Sequence, residues 1–293
     1  MESLRSLQKR PAMLTVHAPC KVNLVLEVLG KDNDYHRISS IVQSIDLCDV
    51  LSFQPDEAVR FECDVPSLRQ DNLVTRAATL LKESTKCDLG ARIELRKHIP
   101  WGVGLGGGSS DAAATLLALN ELWGLRLSLS ELVHLASRLG SDVPFFIHQG
   151  TALIEGKGEK VTPLPSLPAT WFVLLVPSVE RMPGKTRQMY DRLNAAHYTD
   201  GQFVQAALSS LKQGKAIDHG LMFNVFEEVA FDFFTGLDRY RETLEEAGAP
   251  EVYLAGSGPC LFTFFSEEKK AGELVSRLKK QRLECYLASS LFR

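Results

Sequence analysis

The stretch Pro100-Trp-Gly-Val-Gly-Leu-Gly-Gly-Gly-Ser-Ser110, which runs on into Asp111-Ala-Ala-Ala-Thr-Leu-Leu-Ala-Leu-Asn-Glu-Leu-Trp123, decides how this chain is read. Five glycines (Gly102, Gly104, Gly106, Gly107 and Gly108) fall within seven residues, followed at once by Ser109, Ser110 and an alanine-rich segment. Glycine reaches φ > 0 and lets backbone N–H groups come close to a ligand. Serine caps helix starts, and the unpaired N–H groups and positive dipole end of a helix attract anions. An apolar strand carrying Ile93 and Leu95 precedes the loop, and a helix with Leu116, Leu119 and Leu122 follows it. A flexible linker has no reason to sit there, so phosphate is the expected ligand. No Lys-Ser or Lys-Thr closes the loop, and no acidic residue at a convincing strand end follows at the distance a dinucleotide fold requires.

The rest of the composition narrows the class. The chain has 293 residues, 45% hydrophobic and 24% charged, with a formal net charge of -3. That length can bury a substantial core and suits two domains sharing a cleft. No basic stripe marks a nucleic-acid surface, and no apolar run reaches membrane-span length, so neither partner is expected. The short charged N-terminus has no apolar signal core, which makes the cytoplasm the expected compartment. Cys20, Cys48, Cys63, Cys87, Cys260 and Cys285 form no C-x-x-C pair and read as free thiols. The histidines are equally dispersed, so no protein-only metal site is expected. Nothing in the sequence sets an oligomeric state.

Taken in order, Met13 to Gly30 reads as two strands interrupted by Pro19, with Lys21 and Asn23 on one face of the second. Further strands follow to Cys63. Asp71 or Asn72 caps a helix running to about Lys86, and a strand from Ala91 enters the glycine loop. Gly124 stops the loop's helix, and Ser128-Leu-Ser-Glu131 has capping-box spacing for the next. Asp142 then falls at an expected helix-to-strand junction, held by Pro144, Phe145 and Phe146, and Thr151 to Val161 reads as a hairpin. Pro163, Pro165 and Pro168 mark the expected boundary between domains 13–162 and 169–293. Beyond it, strand, helices, two strands hinged on Gly256 and Gly258, helix and strand follow the split βαβ pattern of a ferredoxin-like half. The fold class is α+β in two domains.

Three signatures stand in order: Lys21-Val-Asn23, the glycine loop with Ser109-Ser110, and Gly256-Ser-Gly258. This arrangement resembles the GHMP kinase superfamily, whose phosphate loop is Pro-x-x-x-Gly-Leu-Gly-x-x-Ser-Ser. The extra glycine of Gly104-Leu-Gly-Gly-Gly-Ser-Ser110 is similar to one branch of it, as are Ala18-Pro-Cys-Lys-Val-Asn-Leu24, Asp34-Tyr-His36, Asp71-Asn-Leu73 and Gly140-Ser-Asp-Val-Pro144. That branch phosphorylates a small alcohol carrying a cytidine diphosphate group, a methylerythritol derivative of the non-mevalonate isoprenoid route.

The resemblance implies a two-domain GHMP kinase fold with an N-terminal phosphate-loop domain, a ferredoxin-like C-terminal domain and the active site between them. Lys21 and Asp142 match the catalytic pair, the carboxylate taking the hydroxyl proton and the lysine steadying it and the moving phosphoryl group. ATP is implied at Pro100, Gly102, Gly104, Leu105, Gly106, Gly107, Gly108, Ser109 and Ser110, with Asn72 and Lys97 near the adenine. Asn23, Tyr35 and His36 are implied for the substrate, the tyrosine stacking on cytosine. Thr186 and Tyr190 fit the spacing of a second stacking aromatic, although Gly184-Lys-Thr-Arg187 departs from the small-residue run usual there. Mg2+ is expected with ATP, carried mostly by phosphates and water, with Ser110 as the protein contact. Other kinases of the superfamily, acting on mevalonate, homoserine or a sugar, stay open on the residues alone, as does a nucleotide-binding regulator.

Overall fold

Two long strands frame the molecule, whose computed structural model describes residues 13–33, 35–182, 184–215 and 217–292. β1 (Leu14–Asp32) and β2 (Tyr35–Asp56) pair antiparallel along their whole length. The break expected at Pro19 is absent. Pro19 sits at a register shift inside one continuous strand, where a missing N–H costs no ladder bond. Asp34, part of the motif quoted above, lies outside the described residues.

The sheet is extended by β3 (Val59–Cys63), β4 (Gly90–Arg96), β5 (Thr151–Gly156) and β6 (Lys160–Pro163). β4 and β5 share the outer edge of β2, pairing with its second and first halves, while β3 runs parallel to β4. Helices α1 (Leu73–Thr85), α2 (Gly107–Leu122), α3 (Leu129–Ser137) and α4 (Val143–His148) cover one face. α2 is buried almost all round, from Ser110 to Leu122. Its alanines at 112, 113 and 114 let it lie close to β1, and a helix of this kind carries no amphipathic stripe. The capping box at α3 forms as its sequence requires, Ser128 accepting from the Glu131 N–H.

The second half opens with β7 (Trp171–Leu175) and α5 (Lys185–Arg192), then α6 (Gln202–Lys212). β8 (Phe223–Asn224), α7 (Glu227–Phe233), α8 (Leu237–Glu246), β9 (Tyr253–Leu254), β10 (Leu261–Phe265), α9 (Glu268–Lys280) and β11 (Cys285–Ser289) complete it. Its sheet has the order β11-β7-β10-β9, all neighbours antiparallel, which is the ferredoxin-like arrangement. The two-residue β8 crosses the proline cluster to pair parallel with β1. Glu27 of β1, fully buried, accepts the Phe203 and Val204 N–H groups at the start of α6. Ala18, Leu26 and Val28 of β1 join one apolar core, and Cys20, Val22 and Leu24 join another. Between the register shifts at Pro19/Cys20 and Asn23/Val25, Cys20 and Val22 take one face of β1 and Lys21 and Asn23 the other, which faces a cleft between the two layers. No helix among the described residues is long and apolar enough to cross a membrane.

Candidate active site

The cleft encloses about 610 Å³ and is lined by the glycine loop, the middle of β1, the start of α5 and the Gly256-Ser-Gly258 turn. Gly102, Gly104 and Gly106 take φ of 75°, 96° and 74°. A Cβ at Gly104 would stand 2.0 Å from the Ala255 carbonyl oxygen, and one at Gly106 2.9 Å from the Phe146 ring. Those two positions admit nothing larger than glycine. The loop is pinned from both sides: the Lys21 N–H donates to the Leu105 carbonyl at 3.0 Å, and the Cys260 N–H to that of Val103 at 3.1 Å. Pro100 lines its entrance.

The serines do not cap α2. Gly106 is the capping residue, with no side-chain cap bond, and Ser109 and Ser110 lie inside the first turn. The difference favours an anion, because the N–H groups of the first turn have no side chain accepting from them. Ser110 Oγ is buried without a hydrogen-bond partner, at the same helix end.

At one end of the cleft, Lys21 and Asn23 form a short relay. The Lys21 ammonium donates to Asn23 Oδ1 at 2.6 Å, Asn23 Nδ2 donates to Ser40 Oγ at 2.9 Å, and Ser40 Oγ donates to the Val25 carbonyl at 2.6 Å. Asn23, expected to hold substrate, thus also fixes the lysine. Burial pushes the Lys21 ammonium below its ordinary value, and the nearby Asp142 charge only partly offsets this. Asp142 makes no ion pair with it within 4.0 Å among the described residues, yet both line the cleft. The junction at Asp142 differs from the expectation: a further short helix, α4, follows it before the strand, with Pro144 in its first turn.

Lys185, the first residue of α5, lines the cleft and is buried, its ammonium donating to the Gly258 carbonyl. The neighbouring Thr186 Oγ1 meets Ser257 Oγ at 3.0 Å. Asn224 Nδ2 holds that turn from beneath, donating to the Leu254 and Gly256 carbonyls at 2.8 Å each.

Asn72 caps α1, its Oδ1 accepting from the Thr75 N–H at 2.9 Å. Lys97 lines the same cleft and is tied by ion pairs. Its side chain, 4% exposed, donates to Asp49 and, at 2.8 Å, to Asp111. Asp49 also accepts the His98 and Ile99 N–H groups, at 2.7 and 2.9 Å. Burial alone would depress the Lys97 ammonium, but Asp111 and Asp49 together hold it above its ordinary value. Burial raises Asp111, just past the first turn of α2, to about 7 against the pull of Lys97, and its Oδ1 has no partner. So held, Lys97 lines the cleft together with Asn72.

The substrate residues are only partly gathered. His36 and Tyr190 stack, centroids 5.0 Å apart at 19°, and His36 Nε2 is buried without a partner. Thr186 and Tyr190 line the cleft. Tyr35 stands outside its lining, 56% exposed on the β1–β2 hairpin, with the Lys157 ammonium 3.9 Å over its ring. Sequence reasoning missed Ser40, Asp49, Asp111, Lys185 and Ser257. Asp111 carried a local signal, as a carboxylate close to a helix start, and Lys185 one as a departure from the small-residue run at Gly184-Lys-Thr-Arg187.

Comparison with known proteins follows the same outline. The GHMP kinases N terminal domain model matches residues 72–150 and the GHMP kinases C terminal model residues 203–284. A 4-diphosphocytidyl-2-C-methyl-D-erythritol kinase of Dehalococcoides mccartyi is 44% identical over 281 residues, 95% of this chain and 99% of that protein. One of the same name from Symbiobacterium thermophilum is 38% identical over 95% of this chain and all of its own length. A crystal structure of a 4-(cytidine 5'-diphospho)-2C-methyl-D-erythritol kinase superposes with TM-score 0.81 at 32% identity, covering 96% of this chain and 100% of that one. A homoserine kinase from Cytophaga hutchinsonii, at 19% identity and TM-score 0.76, shares the fold.

Proposed function

Since the chain belongs to the 4-diphosphocytidyl-2-C-methyl-D-erythritol kinase family of the GHMP kinases, we propose that its cleft phosphorylates that alcohol at the C2 hydroxyl, with Lys21 and Asp142 at the reacting centre. It is a kinase of a small-molecule substrate with ATP as phosphoryl donor, and the reaction serves isoprenoid precursor synthesis by the non-mevalonate route. We place its work in the cytoplasm.

The observation that carries the division of roles is the open helix end. The first-turn N–H groups of α2 and the buried Ser110 hydroxyl lie free of side-chain partners, on the wall shared with Lys21. Triphosphate oxygens would be held at Gly106, Gly107, Gly108, Ser109 and Ser110. In the reaction the C2 oxygen bonds to the γ-phosphorus, the bond from that phosphorus to the β,γ-bridging oxygen breaks, and ADP leaves. Asp142 takes the hydroxyl proton, and Lys21, held by Asn23, faces the charge on the moving phosphoryl oxygens. His36, through its unpartnered Nε2, is suited to the hydrogen-bonding edge of cytosine. Tyr35 offers an exposed ring for stacking, and Tyr190 backs His36.

Magnesium fits as a guest of the nucleotide. No cluster of three or more His, Cys, Asp or Glu among the described residues could enclose a metal ion. The unpartnered Ser110 hydroxyl is the protein ligand available, with phosphate oxygens and water for the remainder. When bound, the ion neutralises the β and γ oxygens.

An ADP-release assay tests the substrate. Turnover should be found with the diphosphocytidyl alcohol and be at least roughly a hundredfold weaker with mevalonate or homoserine, since unpaired polar groups in a site built for a base reject its absence strongly. Equal turnover of all three would refute the assignment.

A further inference from the structure

We infer that Lys185 is a second cation of the reacting centre of the cleft, built to hold the transferring phosphoryl group of ATP from the start of α5 and the Gly256-Ser-Gly258 turn. The inference rests on the kinase reading above and adds a residue to it. Its starting point is the departure at Gly184-Lys-Thr-Arg187, where a long cation stands in a stretch usually built of small residues.

Lys185 is 8% exposed, at the first turn of α5. An ammonium has three donors and no acceptor, and the one hydrogen bond found for it goes to a neutral carbonyl, that of Gly258. No carboxylate among the described residues lies within ion-pair distance of it. A buried charge without a counter-ion is among the costliest arrangements a fold can hold. The residue nevertheless lines the cleft that also holds Lys21, Asp142 and the glycine loop. A Cβ added at Gly256, in the turn that Lys185 grips, would stand 3.0 Å from Lys21 Nζ. Two amines therefore converge on one space from β1 and α5, and an anion is what that space lacks.

The charged and titratable groups around Lys185 agree. Burial, with Lys21 on β1 acting in the same sense and Cys260 beyond the turn opposing, lowers its ammonium to about 7. Asp142 and Cys20 act on Lys21 in turn. Without nucleotide, the two lysines compete for positive charge. A γ-phosphate between them would let both stay protonated. The γ-phosphate is selected over the others because the turn that Lys185 grips also approaches Lys21, the residue that the kinase reading sets at the reacting centre.

Calorimetry separates this from a plain clamp on Gly258. At pH 8, binding of AMP-PNP to the wild-type protein, measured in buffers of differing ionisation enthalpy, should take up about one proton, and ADP much less. Lys185→Gln keeps a donor for the Gly258 carbonyl and loses the charge, whereas Lys185→Met loses both. If the charge matters, both variants lose the excess proton uptake, both lower kcat by roughly 10²-fold or more, and both leave ADP affinity within about twofold. They also lose the basic limb near pH 7 in kcat/KM for ATP. If Lys185 only clamps the turn, Gln restores turnover and Met does not, which overturns the inference. Equal proton uptake with AMP-PNP and ADP in the wild type also overturns it, and that arm needs no variant to fold. Failure of the wild type to turn over the cytidine alcohol would refute the kinase assignment, while the calorimetric result would still decide for or against Lys185.

Discussion

Lys97 and Lys185 are both buried amines in the wall of one cleft, and their surroundings are opposite. Lys97 donates to two carboxylates, one of which is further fixed by two backbone N–H groups, and its ammonium is held above the ordinary value. Lys185 donates to a carbonyl only, and Lys21 to an amide oxygen, and both are pushed below it. The paired cation is finished by the protein itself. It ties Asp49 of β2 to Asp111 of α2 and so fixes the helix whose N-terminus meets phosphate. The two others await charge from outside. The paired lysine is structural foundation and the other two are reacting surface, and the counter-ions tell them apart.

The sharpest way to break that contrast is to remove each cation and read stability. Lys97→Met strands two buried carboxylates and should cost about 3–5 kcal/mol in chemical denaturation. An unchanged midpoint would mean the cluster anchors nothing. Lys21→Met should do the reverse, lowering kcat by roughly 10²–10³-fold while leaving the denaturation midpoint unchanged or higher, since an incompletely paired buried charge is lost. A parallel fall in stability and activity would place Lys21 with Lys97.

Proton linkage sharpens the same contrast. The Lys185 ammonium is about 7 folded against an ordinary 10.5, so between those values the unfolded chain binds a proton that the folded chain does not. Its destabilising effect is complete below pH 7 and is relieved as pH rises, giving nucleotide-free stability an upward contribution of at most about 1.4 kcal/mol per pH unit. Lys185→Met should flatten that part of the stability profile between pH 7 and 10, whereas the Lys97 cluster adds no such rise. The smallest effect lies at the substrate end. His36→Ala should raise KM for the cytidine alcohol about tenfold, the worth of one good hydrogen bond, with KM for ATP unmoved. A change in the ATP value instead would take His36 out of the base pocket.

What could be read from the sequence is what short spacing decides. The glycine loop, the Asn72 and Ser128 caps, and the strand and helix order of the second sheet all follow from neighbours within a few residues. Pro19 misled for the same reason: as local chemistry it ends a strand, but the long β2 beside it tolerates a bulge and carries β1 through. The serines of the loop misled less, since a glycine caps α2 and leaves the anion site more open than serine would. The Lys97 cluster was out of reach, because Asp49 is 48 residues away and only the pairing of β2 with β4 brings them together. Lys185 stood in plain sight as a departure from pattern, and its meaning depended on a carbonyl 73 residues further along.

The central claim is that Asp142 receives the proton as the alcohol attacks ATP between these cations. Asp142→Asn tests it most directly, keeping shape and hydrogen-bonding capacity while removing the proton acceptor. Measured as ADP release with the diphosphocytidyl alcohol at saturating ATP, kcat should fall roughly 10²–10⁴-fold with both substrates still bound. A variant turning over near the wild-type rate would contradict the account.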